Sequence, residues 1–273
     1  MKEPRASVVV RAKNEARAIE QTFESLRRQT VPVEIVVVDS GSTDGTVEIA
    51  RRWCDRLLEI PPQSFTYGHS LNLGAEAARA PFHFSLSGHC VPRSDDWVER
   101  SLRHYERTDV AGTNGIQTLP DGTPVDEVFY QDAGHVRAHL LWGFSNHASS
   151  WRAEVWREIP FDGALSSSED RKWALEVTQA GWVLAYDPAL WVDLSHQWDG
   201  GALFQYRRRR METRGLAEFA PIPPYRLRDA VRDWWRPPDE RHSALFHRLN
   251  YRRLAGILGT YRGLAATRRR RGS

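Results

Sequence analysis

The sequence predicts an α/β fold: a mostly parallel, wound sheet flanked by helices, with a basic helical extension at the C-terminal end. Three observations predict it. First, apolar β-branched runs alternate with helix-patterned stretches from Ser7 to about Leu194, the order that builds a parallel sheet with right-handed crossovers. Second, the stretch VEIVVVDSGSTDGTVEIA, residues 33–50, joins a continuous hydrophobic strand to a helix through a run of small residues. A strand covered on both faces needs such a run, and a glycine-bearing turn lets the backbone approach a ligand closely. Third, the composition shifts at Pro221-Ile222-Pro223-Pro224, and the chain ends in four arginines, Arg268 to Arg271.

Length and composition set the bounds. The chain has 273 residues, of which 41% are apolar and 27% charged, which suits one large domain with a sizeable core rather than disorder. Two cysteines, Cys54 and Cys90, cannot form a disulfide framework or a thiolate zinc site. No apolar run is long enough to span a bilayer and no leader is visible. A reducing, cytoplasmic setting is therefore expected, with the inner membrane face as an alternative through the basic tail. The net charge of +3 is unevenly placed, which suits an anionic partner.

Taken in order, Ser7–Arg11 reads as the first strand, and Asn14 as the cap of a helix with Ile19, Phe23 and Leu26 on one face. The 33–50 stretch supplies the second strand and helix, with Asp44 as a candidate cap. Leu57–Ile60 is a third strand and Ser70–Ala80 a helix. Phe82–Leu86 is a fourth strand, ending in Ser87-Gly88-His89. Helices are expected over 95–108, 126–141 and 153–158, with strands over 110–117 and 144–152. A further helix spans 169–180, ended by Gly181, and two short strands cover 183–186 and 190–194.

Several of these segments end in residues able to do chemistry. In open α/β sheets, ligands sit beyond the carboxyl ends of the strands. Asp39 ends the second strand and would project into the crevice there; a solvated turn with Asp44 capping the helix is the other reading. Arg11 and Lys13 flank the end of the first strand. They could face an anionic ligand or be ordinary solvated charge near a sheet edge. Glu169 and Asp170 open a helix after Ser166-Ser167-Ser168, where the helix dipole favours an ionised carboxylate and a ready base; capping is the other reading.

The ordered set SVVVRAKNEA, EIVVVDSGSTDGT, YGHSLNLGAEAARA, HFSLSGHCVP, FSNHASSWR, SSSEDRKWALEVTQAGW and LSHQWDGGALFQYRRRR resembles family 2 of the GT-A type glycosyltransferases, from about Ser7 to Gly215. The resemblance implies a Rossmann-like GT-A catalytic domain over residues 1–215, with the extension over 216–273. It also implies transfer of a sugar from a nucleotide diphosphate donor to an acceptor hydroxyl with inversion.

By that resemblance Asp39 contacts the nucleotide, and Ser40 follows it where many members carry a second acid. Asp170 becomes the general base, with Glu169 orienting it or touching the acceptor. Arg11, Lys13, Asn14, Ser40, Asn72, Ser87, Gly88, Gln117 and Arg207 fall on the donor side. Tyr67 and His69 belong to the same donor-side loop, and Asn146 and Trp198 fall on the acceptor side. The family's metal-binding Asp-X-Asp is replaced by Ser87-Gly88-His89. His89, with the later His196, is the candidate ligand set for manganese, which tolerates imidazole, or for magnesium, which prefers oxygen. Arg207 to Arg210 could share the leaving-group charge.

Trp142, Trp151, Trp173 and Trp198 could stack on a sugar ring, with core packing the alternative, above all for Trp173; His147 has no assignment. The donor expected from family habit carries UDP or dTDP, with GDP also open. The acceptor could be lipid-linked, because the tail mixes Tyr225, Leu227, Trp234 and Trp235 with arginines and suits an anionic membrane surface; a helix completing the domain or a homodimer contact is the competing reading. No motif supports specific nucleic-acid binding. The rival from another class is a sugar-nucleotide-binding or scaffolding protein without catalysis, favoured only by the missing Asp-X-Asp.

Overall fold

A computed structural model of the chain describes residues 4–117, 123–140, 142–194, 202–220, 228, 231 and 254–263. Strand β1 (Ala6–Ala12) leads to α1 (Ile19–Arg27), β2 (Val33–Asp39) to α2 (Thr46–Trp53), and β3 (Arg56–Glu59) to α3 (Tyr67–Ala77). Strands β4 (Phe82–Ser87) and β5 (Cys90–Pro92) precede α4 (Trp97–His104), β6 (Val110–Asn114), β7 (Phe129–Gln131) and α5 (Ala133–Ala138). Then come β8 (Ala148–Arg152), α6 (Ala153–Glu158), α7 (Glu169–Gln179), β9 (Val183–Tyr186), β10 (Val192–Leu194) and α8 (Ala202–Phe219).

Eight strands form one sheet in the order β3-β2-β1-β4-β8-β6-β9-β7. The first four are parallel, as are β6 and β9, while β8 runs against both of its neighbours and β7 against β9. The mixed α/β architecture expected from the sequence is present. Strands β5 and β10 make a separate antiparallel pair.

Alternation along β1 decides the two cores. Val8 and Val10 join Ile35, Val37, Phe84 and Trp97 on one face, and Val9 joins Leu71, Ala75, Trp151 and Trp173 on the other, as the two-residue period of a strand requires. Trp151 and Trp173 are fully buried. Trp173 packs on Phe144 and Phe161 and donates its indole N–H to the Ile159 carbonyl at 2.8 Å. These two tryptophans are core residues and not sugar platforms. Trp142 is part-buried and stacks on Phe129 and Tyr186.

Helix α3 crosses β1 at Gly74, where a Cβ would lie 2.2 Å from Val9 Cγ1. Val9 sits in the closed core, so Gly74→Ala should overpack that layer and lower stability by about 1–3 kcal/mol; a thermal melt of the variant measures it, and an unchanged Tm would refute the packing argument.

Three local expectations are corrected. The helix expected over 126–141 is strand β7 followed by the short α5. Phe129 and Tyr130 pair with β9 at the sheet edge, Phe129 stacks on Tyr186, and Asp132 caps α5 by accepting from the His135 amide at 3.0 Å. The strand expected to Gln117 stops at Asn114, because the next residue, Gly115, lies tight against the Leu190 carbonyl. Asn14 does not cap α1, whose N-cap is Ala18; Asn14 takes a left-handed φ of 56° and holds the next loop instead.

The chain divides into two compact units, residues 1–164 with 169–197 and residues 165–168 with 198–273. In the second, a helical stretch over 254–263 approaches α8 closely: a Cβ on Gly259 would lie 2.4 Å from the Tyr206 carbonyl oxygen and one on Gly263 2.0 Å from Thr213 Oγ1. Among the described residues no helix is long and apolar enough to cross a membrane.

Candidate active site

In the first unit, the carboxyl ends of β2, β1 and β4 are aligned: Ala12 is in register with Asp39, and Arg11 with Ser87. The loops leaving these ends are tied together. Asp39 is buried, and its carboxylate accepts from the Gly41 and Ser42 amides at 2.9 Å each and from the Ser42 hydroxyl. The Ser40 amide donates to the Ala12 carbonyl at 3.1 Å. The Asn14 amide donates to Ser42 Oγ at 2.8 Å, and Asn14 Oδ1 accepts from the Thr43 amide at 2.9 Å. Asp44 accepts from Thr46 and Ala16. The small residues of the 40–46 turn thus form a pinned platform at the strand ends.

At the end of β4, the Ser87 amide donates to the His147 carbonyl and the Gly88 amide to the Arg11 carbonyl, both at 3.0 Å. His89 Nδ1 lies 2.7 Å from Glu15 Oε1, with both side chains largely covered. Among the described residues there is no group of three or more His, Cys, Asp or Glu side chains that could hold a metal ion. An imidazole steadied by a carboxylate through one ring nitrogen is nevertheless the usual form of a metal-binding histidine. His89, held by Glu15 in this way, suits one ligand position of a divalent ion.

The third group of residues meets at Asn146, which is buried where the 142–147 loop enters β8. Its carbonyl accepts from Arg11 Nη2 at 2.7 Å and Ser85 Oγ at 2.5 Å. Its amide N–H donates to Asp170 Oδ2 at 3.3 Å, and its side-chain Nδ2 to Glu169 Oε1 at 3.4 Å. The two acids open α7 directly after Ser168, a non-glycine residue at a φ of 65°. Glu169 is 4% exposed and Asp170 more open. Burial, and then the charge of Asp170, raise the Glu169 carboxyl above the ordinary range, opposed by Arg11. The pair thus sets a buried acid, its carboxyl raised by burial and by its neighbour, beside a more exposed one. Arg11 also lies over the Tyr67 ring, and its Nε and Nη1 are buried with no hydrogen-bond partner among the described residues.

The structure brings together Arg11, Asn14, Asp39, Ser40, Ser87, Gly88, His89, Asn146, Glu169 and Asp170 through these strand ends and contacts. Lys13 is exposed beside them. Asn72 is a strut: its amide donates to the Phe161 carbonyl at 2.7 Å and accepts from Trp156 and the Phe161 amide. Gln117 is exposed past the end of β6 and donates to the Pro188 carbonyl at 3.3 Å. Arg207 is exposed on α8 in the second unit. His196 and Trp198 lie outside the described residues, as do Tyr225, Leu227, Trp234 and Trp235 in the tail. Sequence reasoning missed Glu15. Nothing in a local pattern pairs it with a histidine 74 residues on.

The family model described as Glycosyl transferase family 2 matches residues 7–146. The chain is similar to the glycosyltransferase AglE of Haloferax volcanii, with 30% identity over 197 residues covering 67% of this chain and 64% of that protein. It is also similar to the O-antigen chain rhamnosyltransferase WbaN of Salmonella anatum, with 25% identity over 200 residues covering 67% and 63%. The matched stretch therefore spans a little under two thirds of the length of these relatives.

Among solved structures it resembles the mannosyltransferase PcManGT from Pyrobaculum calidifontis in complex with GDP-Man and Mn2+, at a TM-score of 0.64 and 18% identity over 98% of this chain and 75% of that one. It resembles TarS of S. aureus, residues 1–349 in complex with UDP-GlcNAc, at a TM-score of 0.52 and 16% identity over 84% and 70%. At such identities the likeness is one of fold.

Proposed function

The chain belongs to glycosyl transferase family 2, and on that premise we propose that it transfers a sugar, with inversion, from a nucleotide diphosphate sugar to an acceptor hydroxyl. One observation carries the reading: Asn146 binds Arg11 at the end of β1 and both acids at the head of α7. The strand ends that suit a nucleotide and the carboxylate that suits a base thus belong to one hydrogen-bonded group.

In this mechanism Asp39 and its turn bind the nucleotide, with Arg11 and Ser87 toward the phosphates. Asp170 takes the proton of the acceptor hydroxyl. The acceptor oxygen attacks the anomeric carbon from the face opposite the diphosphate, the bond to the phosphate oxygen breaks, and configuration inverts. Glu169, buried beside the base, keeps Asn146 and Asp170 in place. A divalent ion, Mn2+ or Mg2+, would be held by His89 with His196 and would supply positive charge for the leaving diphosphate. Residues 1–215 form the catalytic domain of this proposal and 216–273 its extension, which would bring a cytoplasmic enzyme to a lipid-linked acceptor at the membrane face.

The donor of first choice carries UDP or dTDP, with GDP as the comparison. The test is a thermal-shift series with these nucleoside diphosphates and their sugars, with and without Mn2+, since a ligand that binds only the folded state raises Tm. A flat response to every nucleotide overturns the proposal. Binding without turnover on any acceptor would instead favour a sugar-nucleotide-binding protein, the reading that the absent Asp-X-Asp suggests.

A further inference from the structure

Three contacts at the end of β4 converge on Glu15, a residue from a different loop. The first is the 2.7 Å contact between Glu15 Oε1 and His89 Nδ1. The second is space: a Cβ on Gly88 would lie 3.1 Å from Glu15 Cγ, so the glycine in Ser87-Gly88-His89 lets the Glu15 side chain pass to the histidine. The third is fixation. The Glu15 carbonyl accepts from the Ala18 and Ile19 amides at 2.9 Å each, and its N–H donates to Thr46 Oγ1 at 2.8 Å. On the other side, the Thr22 hydroxyl donates to the Gly88 carbonyl at 3.0 Å. Both backbones are therefore held before any ligand arrives.

We infer that Glu15 is a positioning residue for His89: its carboxylate accepts a hydrogen bond from the imidazole Nδ1–H and so directs Nε2 as the donor atom for a divalent cation bound with the nucleotide diphosphate. This inference rests on the reading of residues 87–89 as the diphosphate end of the site. A neutral imidazole carries one N–H and one lone pair, and the hydrogen bond to one nitrogen decides which. With Nδ1–H donating to Glu15, the lone pair lies on Nε2, and the contact fixes the orientation of the ring. The pair also answers the missing acid. The negative charge that an aspartate would bring at this position comes from a neighbouring loop, through the ring. Glu15 is absent from any reading based on the 87–89 segment alone.

The experiment uses the full chain, with Mn2+ titrated calorimetrically in the presence of saturating UDP, dTDP or GDP. Glu15→Gln should weaken Mn2+ binding by about 10–100-fold and leave nucleotide affinity without metal unchanged. His89→Ala should lose the metal-dependent gain, and the double variant should be no worse than His89→Ala, as expected for two residues acting on one contact. Nitrogen NMR of the unaltered chain gives a measurement independent of any variant. It should show His89 protonated on Nδ1 alone and Nε2 as the nitrogen perturbed by the metal.

A His89 ring protonated on both nitrogens, or Glu15→Gln titrating like the unaltered chain, overturns the inference. So does a loss of nucleotide affinity without metal, which marks a purely structural contact. If the unaltered chain binds nucleotide but gains nothing from Mn2+, this inference fails and the proposed function stands. If it binds none of the three nucleotides, the proposed function itself has failed.

Discussion

Asp170→Asn should lower kcat by about two to four orders of magnitude, the usual contribution of a positioned base, while nucleotide binding should stay near that of the unaltered chain. The substitution is almost isosteric. Asp170 accepts from the Asn146 and Arg171 amides through different oxygens, at 3.3 and 2.8 Å; an asparagine oxygen can keep only one of these bonds, and it cannot take the proton of an acceptor hydroxyl. Glu169→Gln is the informative partner, because burial and the neighbouring acid already favour the neutral form of Glu169. A neutral amide in its place resembles that form, so the expected loss is much smaller. Steady-state turnover at saturating donor, with a nucleotide titration of each variant, makes the comparison. Near-full turnover in Asp170→Asn, or equal losses in both variants, would remove Asp170 from the role of base.

The second large effect is at Asp39. Asp39→Ala removes the acceptor of two backbone amides and one hydroxyl at the end of β2. Hydrogen bonds to a charged group are worth about 1.5–3 kcal/mol, and each 1.4 kcal/mol is about tenfold in affinity, so nucleotide affinity should fall by about ten- to a hundredfold. The turn over residues 40–46 loosens at the same time, and Tm should drop. Asp39→Asn keeps one acceptor oxygen and should lose less on both counts. Calorimetric titration with UDP measures the first effect and a melt the second; an unchanged affinity in Asp39→Ala would mean that the nucleotide lies elsewhere.

The parallel half of the sheet was legible in the sequence because its strands are buried on both faces and read as unbroken apolar runs, of which Val33–Asp39 is the clearest. Helix α6 fell where it was expected, and Gly181, at a φ of 97°, follows α7 closely as expected. The stretch from 126 to 141 misled, since Phe129 and Tyr130 belong to a three-residue edge strand too short to show a period. Candidate residues at strand ends could be read one strand at a time. What could not be read was which of them touch. The Arg11–Asn146 bond joins residues 135 apart and the Glu15–His89 pair residues 74 apart, and neither carries a local signal. Asn72 shows the converse, a polar residue in a promising segment whose amide is taken up by the backbone around Phe161.

Strand β8 runs against β4, and its reversed direction sets what can change in such a molecule. The loop that feeds it follows the short α5 and reaches the rim of the strand ends from the opposite sense. Insertions or deletions ahead of residue 142 would leave the register of β1, β2 and β4 untouched. On the proposed function, the acceptor side can therefore diversify through loop length while the strand ends assigned to the nucleotide keep their register.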